Sequence, residues 1–373
     1  MNSPLRVSGT PMVGVILAVV ALTLFLGGRV LAETPTPIPA YKLYGLDFGP
    51  YMDGQDPNKG SQVGEAQIRA RMEIVVPYTE WIRTFGCGMG LEKAGQVAHE
   101  LGLQAAIGAW LGRDSTANDE EIARLIAVGQ AGGADMLIVG SEVLLRGDLT
   151  QSQLIGYINQ VRQAVPGVPV ATADVHSELI AHPLVVAAGD VVLANFYPYW
   201  EGIDVQHAIA ALHSQYEQVR AVASGKEVIV SETGWPSDAN EIDNAIPSPE
   251  NASFYFLNFV SWARAEGVAY LYFEAFDETW KAQYEGHQGA HWGVWDKDGN
   301  LKPGMQDVFD EVTIPDNWSG STVGAMVEFP ETADTETAIS EPATVDRARL
   351  AGLAVAALAV LSAVAWYVRR RLT

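Results

Sequence analysis

Residues 228–237 read VIVSETGWPS. The apolar run Val228-Ile229-Val230 delivers one carboxylate, Glu232, and Gly234 and Pro236 then stop the strand. A charge is costly to bury, so an acid at the tip of an apolar strand needs a reason. Residues 136–144, MLIVGSEVL, repeat the pattern, with Glu142 following Leu137-Ile138-Val139. Two acids, each at the C-terminal end of its own buried strand, are the least apparatus that can break a glycosidic bond.

Working outward, residues 41–315 alternate between strand-like and helical patterns. Strand-like runs are Tyr44–Phe48, Trp81–Phe85, Leu103–Trp110, Met136–Val139, Val168–Ala173, Val191–Phe196, Val228–Ser231 and Ala269–Phe273. Among the helical patterns, Asn118–Ala131 carries Asp119, Glu120 and Glu121 in its expected first turn, where the macrodipole favours acids. Thr150–Val165 is another, with Thr150 as its expected N-cap. Eight strands separated by helices over about 275 residues suit a single α/β unit, a (β/α)8 TIM barrel. An open doubly wound sheet is the competing architecture, but no GxGxxG or GKS/T fingerprint follows any strand.

Composition narrows the chemistry. The chain has 373 residues, is 48% hydrophobic and holds 10 Trp and 13 Tyr, enough for a large core. Its formal charge of −22 repels nucleic acid but not a neutral polymer such as a glucan. The single cysteine, Cys87, excludes an intramolecular disulfide and reads as a small core side chain. His176, His287 and His291 lack an HExxH-type spacing, so they read as surface or cleft donors, and no metal or other cofactor is expected.

Both ends carry membrane signals. Met12–Leu26 is an apolar run behind Arg6, and Val30-Leu31-Ala32 resembles a signal-peptidase site, so residues 1–32 read as a signal peptide or signal anchor. Residues 33–40 form a Pro-rich lead-in. Residues 316–346 hold seven acids and no Lys or Arg, the composition of a solvated, disordered linker. Residues 347–373 contain Leu350–Val368, 19 residues without a charge, closed by Arg369-Arg370-Arg371. That run reaches roughly 28 Å as a helix, enough for one crossing of a lipid bilayer. The arginines should stay in the cytoplasm, leaving residues 41–315 outside the cell; Arg347 and Arg349 weaken that orientation without reversing it.

Several segments carry a family resemblance. SETGWPS, residues 231–237, resembles the nucleophile motif of glycoside hydrolase family 17, the β-1,3-glucanases. NFYPYW at 195–200, FEAFDETWK at 273–281, HWGVWDKDGNLKP at 291–303, IRTFG at 82–86 and GLDFGPY at 45–51 resemble further segments of that family, in the family's order. The resemblance spans roughly residues 43–312. It implies a retaining barrel glycosidase with Glu232 as nucleophile on strand seven and Glu142 as acid/base on strand four; with the terminal apolar runs, the chain reads as a membrane-anchored, bacterial-type member. Proximity of two carboxylates raises one pKa, and Glu142 is the one expected to rise. Many members of the wider clan have Asn just before the acid, where it bonds the sugar 2-hydroxyl. This chain has Ser141 there, so that contact is expected to pass through water or to be lost.

The remaining site expectations are as follows. Tyr197 would orient Glu232, while Tyr199 and Trp200 would stack on sugar and Trp235 and Trp292 would line the cleft floor. Arg83, charged inside an apolar strand, would pair near the nucleophile. By resemblance, Glu278 and Lys281 belong to a polar network below the acids. Together with Asp47, Glu274 and Ser141 they complete the expected substrate-binding set. Asp277 also falls among the crowded charges after strand eight, which read in part as a solvated loop, and Asp174 near a strand end reads in part as a loop acid. The expected partner is a β-glucan polysaccharide or oligosaccharide, acted on by a monomer. Competing functions are transfer to a sugar acceptor, non-catalytic glucan binding at a wall or surface, and cleavage of a β-1,4 linkage.

Overall fold

The computed structural model describes Met1 and residues 39–314. The N-terminal apolar run, the acidic linker and the C-terminal apolar run all lie outside the described residues. Among those described, no helix is long and apolar enough to cross a membrane.

Seven parallel strands follow one another in simple order: β1 (Leu43–Asp47), β2 (Thr79–Thr84), β3 (Gln104–Ala109), β4 (Met136–Ser141), β5 (Val170–Val175), β6 (Val192–Asn195) and β7 (Val228–Glu232). The eighth position is filled by Ala269–Phe273, which forms isolated bridges rather than a full ladder. Tyr270 bridges Val230 of β7, and Tyr272 bridges Leu46 of β1. Hydrogen bonds run to both neighbours: Leu271 N to Val230 O at 2.8 Å, and Tyr272 N to Gly45 O at 3.0 Å. The sheet therefore closes into a cylinder, and the open-sheet alternative falls.

Alternation of side chains along the strands sorts two apolar layers. Ala106, Met136, Ile138, Ala171, Ala173, Leu193, Ile229, Ala269 and Leu271 pack together as one buried cluster inside the barrel. Their neighbours in sequence, such as Ile107, Leu137, Val139, Val170, Val192, Val228 and Val230, join the larger cluster under the helices. This is the period-2 rule applied to a closed sheet. A Tyr44–Trp81 stack, with centroids 6.1 Å apart and planes at 6°, packs against the inner layer.

The main helices are α1 (Glu65–Val75), α2 (Ala94–Glu100), α3 (Ser115–Gln130), α4 (Gln151–Ala164), α5 (His176–Ala181), α6 (Pro183–Ala188), α7 (Val205–Val222) and α8 (Pro249–Glu266). Helix α3 starts three residues earlier than the acid cluster suggests. Asp114 caps it, accepting from Thr116 N and Ala117 N, so Asp119, Glu120 and Glu121 lie beyond its first turn. A cap satisfies two orphan N–H groups directly and outweighs the weaker pull of the dipole. The expected cap on α4 is present as a full capping box between Thr150 and Gln153. Cys87 is fully buried, as a core side chain should be.

Strands β2 and β3 approach closely at Gly108. A Cβ there would lie 2.4 Å from Thr84 O and 2.9 Å from Phe85 O. Backbone atoms cannot move aside as a flexible side chain can. Gly108→Ala should therefore cost about 1–3 kcal/mol, read as a lowered denaturant midpoint at unchanged slope. An unchanged midpoint would mean that the two strands have room to part.

Candidate active site

Because all strands are parallel, their C-terminal ends share one rim. That rim carries the polar residues that the apolar strands deliver: Asp47 (β1), Arg83 (β2), Ser141 and Glu142 (β4), Asp174 (β5), Asn195 (β6) and Glu232 (β7). Strict alternation would not aim both acids at the same space. With Ile229 facing inward, Ser231 should follow it inward and Glu232 should point out. The β6–β7 register slips just there, with Ala194 opposite Val230 but Asn195 opposite Glu232. The β4–β5 register slips between Ile138 and Ser141, immediately before Glu142. Bulges re-aim side chains, and here each precedes an acid.

Glu142 itself has φ 54°, the left-handed region, directly after a register slip. A non-glycine residue there stores strain and is held by its surroundings. The holding groups are visible. Glu142 N donates to Ala173 O at 2.8 Å and Arg146 N donates to Glu142 O at 3.0 Å. Arg146 Nη1 donates to Ser141 O at 2.6 Å. Asp174 accepts from Leu144 N and Val175 N, both at 2.9 Å, so this buried acid brackets the Glu142 turn rather than sitting in a loose loop.

The two carboxyls sit in different surroundings. Glu232 accepts at Oε1 from Arg83 Nη2 (2.9 Å) and Ser141 Oγ (2.8 Å), and at Oε2 from the Tyr197 hydroxyl (3.1 Å). Glu142 is partly open to solvent and receives one side-chain bond, from Asn195 Nδ2 at 3.0 Å. Burial, and then the Glu232 charge, push the Glu142 pKa up to about 7, against the pull of Asn195. Asn195 is fixed in turn by Ser231 Oγ, which donates to its Oδ1 at 2.6 Å.

Arg83 is fully buried, and its guanidinium also touches Asp47 Oδ1 (3.3 Å) and Ser231 O (2.7 Å). Burial opposes its charge, but Asp47 and Glu232 outweigh that and raise its pKa. Burial holds the fully enclosed Asp47 well above the usual carboxylate range in spite of Arg83. Arg83 therefore pairs beside Glu232 as expected. Neither it nor Asp47 presents surface to a substrate, so both drop out of the substrate-binding set.

Other expectations are corrected in the same way. Tyr199 (0% exposed) and Trp235 (1%) are enclosed, so neither offers a face to a sugar. Tyr199 donates to Asn240 O at 2.6 Å and Trp235 Nε1 to Ile246 O at 3.1 Å; both stiffen the loop after β7. Trp292 is also buried, packed on Tyr197, Tyr199, Trp200 and Phe273, and lies behind the wall rather than on an open floor. Tyr197 and Trp200 keep partial exposure. The charges after strand eight are not a solvated loop: Glu274, Asp277, Glu278 and Lys281 are all buried. Lys281 pairs with Glu274 and, at 2.9 Å, with Glu278; these outweigh burial and raise its pKa. Glu278 lies against Gly49, where any Cβ would fall 2.1 Å from its Oε1.

Three features escaped sequence reading. Asn195 lies in a quoted motif, and its signal is the one that exposed the acids, a polar residue ending an apolar strand. Trp110, read only as a strand end, is 48% exposed just past β3, with the Arg146 guanidinium 4.5 Å from its ring centre. His287 and His291 come together with Asp238 through loops distant in sequence. His176 stays apart from them, stacked on Phe196 and paired with Glu201 at 3.0 Å, and burial lowers its pKa to about 4.

Two measurements follow from this geometry. Ser141 gives its hydroxyl proton to Glu232, so it is occupied beneath that acid rather than reaching outward as a longer Asn could. Ser141→Ala should lower kcat about 10- to 100-fold with little change in KM, the worth of one hydrogen bond to a charged group. A rise in KM alone would assign Ser141 to ground-state binding. The second concerns stability. Glu142 is harder to ionise folded than unfolded, so its burial costs nothing near pH 4, costs more as pH rises, and costs most above about pH 7. Glu142→Gln should thus be more stable than the parent by about 1–3 kcal/mol at pH 8 and equal to it at pH 4. Equal stability at both pH values would remove the buried-charge penalty.

Comparisons agree with this architecture. Residues 45–293 match the sequence model of the BtgE/BtgC glycoside hydrolase domain. Over 271 residues the chain is 31% identical to the glucan 1,3-β-glucosidase of Saccharomyces cerevisiae, covering 66% of this chain and 86% of that one. A glucan 1,3-β-glucosidase of Candida albicans is 33% identical over 235 residues, 57% of this chain and 76% of that protein. Among solved structures, the glycoside hydrolase family 17 β-1,3-glucanosyltransferase of Rhizomucor miehei is similar at 34% identity and a TM-score of 0.64, over 70% of this chain and 96% of that one. An endo-laminarinase from Formosa, at 18% identity and the same TM-score, shares the fold. The chain belongs to the BtgE/BtgC glycoside hydrolase family, a β-1,3-glucanase-type domain of glycoside hydrolase family 17.

Proposed function

We propose that this domain breaks β-1,3-glucosidic bonds in β-glucans by double displacement, with Glu232 as nucleophile and Glu142 as acid/base. The carrying observation is the unlike setting of two acids on one rim. Three donors converge on Glu232, the surroundings an attacking carboxylate requires. Glu142, pushed up to about 7, can hold a proton near neutral pH. Glu232 attacks the anomeric carbon as Glu142 gives its proton to the departing glycosidic oxygen. A glycosyl ester forms on Glu232 and the sugar leaves. Glu142, now a carboxylate, takes a proton from an incoming hydroxyl, which attacks the same carbon and frees Glu232.

The β-1,3 linkage is supported by the names of the relatives described above and by a laminaritriose complex of the Rhizomucor miehei enzyme. Asn195 holds Glu142 from the β6 side. Tyr197, Trp200 and exposed Trp110 supply aromatic surface at the rim, suited to the CH face of a pyranose. The incoming hydroxyl distinguishes two outcomes. Water gives hydrolysis. A second sugar gives transfer, the reaction in the name of the Rhizomucor miehei enzyme. Both need the same acids.

The reading extends to the whole chain as a membrane-anchored, bacterial-type enzyme, although the relatives named are fungal. Leu350–Val368 with Arg369-Arg370-Arg371 supports a single-pass anchor in a lipid bilayer, cytoplasmic at its end. Residues 316–346 then serve as an acidic stalk, residues 33–40 as a lead-in, and residues 1–32 as a signal peptide or second anchor. The catalytic domain would work outside the cell as a monomer. A net charge of −22 is no match for nucleic acid.

Incubation with laminaritriose, followed by proton NMR from the first minute, tests the mechanism. At the newly freed reducing end the parent should release β-anomeric product, and Glu232→Gln should release none while remaining folded at the assay temperature, as its circular dichroism would show. An initial α-anomer, or full activity in that variant, would overturn the reading. Products longer than the trisaccharide would mark transfer; shorter products with none longer would mark hydrolysis, since the departing sugar is released in both outcomes.

A further inference from the structure

The loops that follow β7 and the eighth strand meet beside the rim through three side chains that the catalytic reading does not use. Asp238 lies six residues past Glu232. His287 and His291 flank one 3-10 turn, His287–Ala290, with ring centres 4.6 Å apart. His287 Nε2 stands 3.0 Å from Asp238 Oδ2, and one donor atom from each of the three residues lies within 4.8 Å of the others.

Two donors about 2.1 Å from one zinc ion can be at most about 4.2 Å apart. Small rotations of exposed side chains close the difference. The backbone beneath is already joined: Ser237 N and Oγ donate to His291 O at 2.9 and 3.2 Å, and His291 N donates to Gln288 O at 2.9 Å. Lys302, the neighbouring cation, also reaches His291 O but is paired with Asp277. Neither ring nitrogen of His291 is hydrogen-bonded among the described residues, so both are free to take a ligand. Two imidazoles and one carboxylate are a donor set for first-row divalent ions, with open positions left to water.

We propose that Asp238, His287 and His291 bind a zinc-type divalent ion that clamps the loop after β7 to the loop after the eighth strand. Histidine spacing along the chain misses it because the third ligand comes from another loop. The site neighbours the acids without touching them, so it acts on the stiffness of the wall that carries Trp292 and not on the bond-breaking step.

The full chain, stripped with a chelator, is titrated with zinc chloride by isothermal calorimetry, beside Asp238→Asn and His287→Gln. The parent should take up one ion per chain and its melting temperature should rise with zinc. Each variant should bind at least about tenfold more weakly and lose that rise. In chelator, both variants should melt and turn over laminaritriose as the parent does, which separates lost binding from misfolding. Absence of zinc uptake by the parent, or equal uptake by parent and variants, would overturn the site. A catalytically dead parent that still binds one ion would leave the site standing and remove only the catalytic reading.

Discussion

The site is built around a single buried guanidinium. Arg83 leaves β2 and reaches Asp47 on β1, Ser141 on β4, and Ser231 and Glu232 on β7. A charge removed from water is tolerated only when paired and hydrogen-bonded, and removing one partner of such a set typically costs about 3–5 kcal/mol. Here the pairing also has direction. Four strand ends are tied to one planar group, so the position of Glu232 is set by the barrel and not by a loop. The Phe85 ring, 4.4 Å from the guanidinium carbon, covers it further.

A second buried charge group stands apart from the first. Lys281 gathers Glu274 and Glu278 behind the rim, over the Phe273 ring. Glu274 Oε1 and Glu278 Oε1 have no hydrogen-bond partner among the described residues, although both are enclosed. One cation there faces two carboxylates. Glu274, raised by its own burial in spite of Lys281, answers the same pressure that acts on Glu142. Burial, and after it the Glu232 charge, favours keeping a proton on Glu142, which receives one side-chain hydrogen bond, from Asn195.

Much of this was legible in the chain and some was not, for reasons that can be named. The eight apolar runs announced the barrel because each buried strand is short and apolar, and an acid ending such a run stands out by cost alone. Arg83 was visible for the same reason. The register slips before Ser141 and Glu232 were not, because register belongs to a pair of strands and leaves no mark on either one. Burial of Tyr199 and Trp235 was equally hidden. An aromatic side chain reads the same whether it faces a sugar or a helix, and only the path of the loop after β7 decides. The start of α3 was misplaced because three consecutive acids suggested a first turn, while Asp114 offered a stronger, local bond. Ser141 showed as a departure from the family pattern, but its use, donating to Glu232, depended on an acid 91 residues away.

Cys87 has a consequence of a different kind. It is the chain's one sulfhydryl, sealed in the core, with its amide donating to Glu121 Oε1 at 2.8 Å. No covalent cross-link within the chain contributes to the barrel, and burial raises the thiol pKa, which keeps it protonated and inert. The fold is therefore indifferent to the redox state of its compartment. The same polypeptide can reach the same architecture in a reducing or an oxidising medium, and reductant should neither help nor harm it.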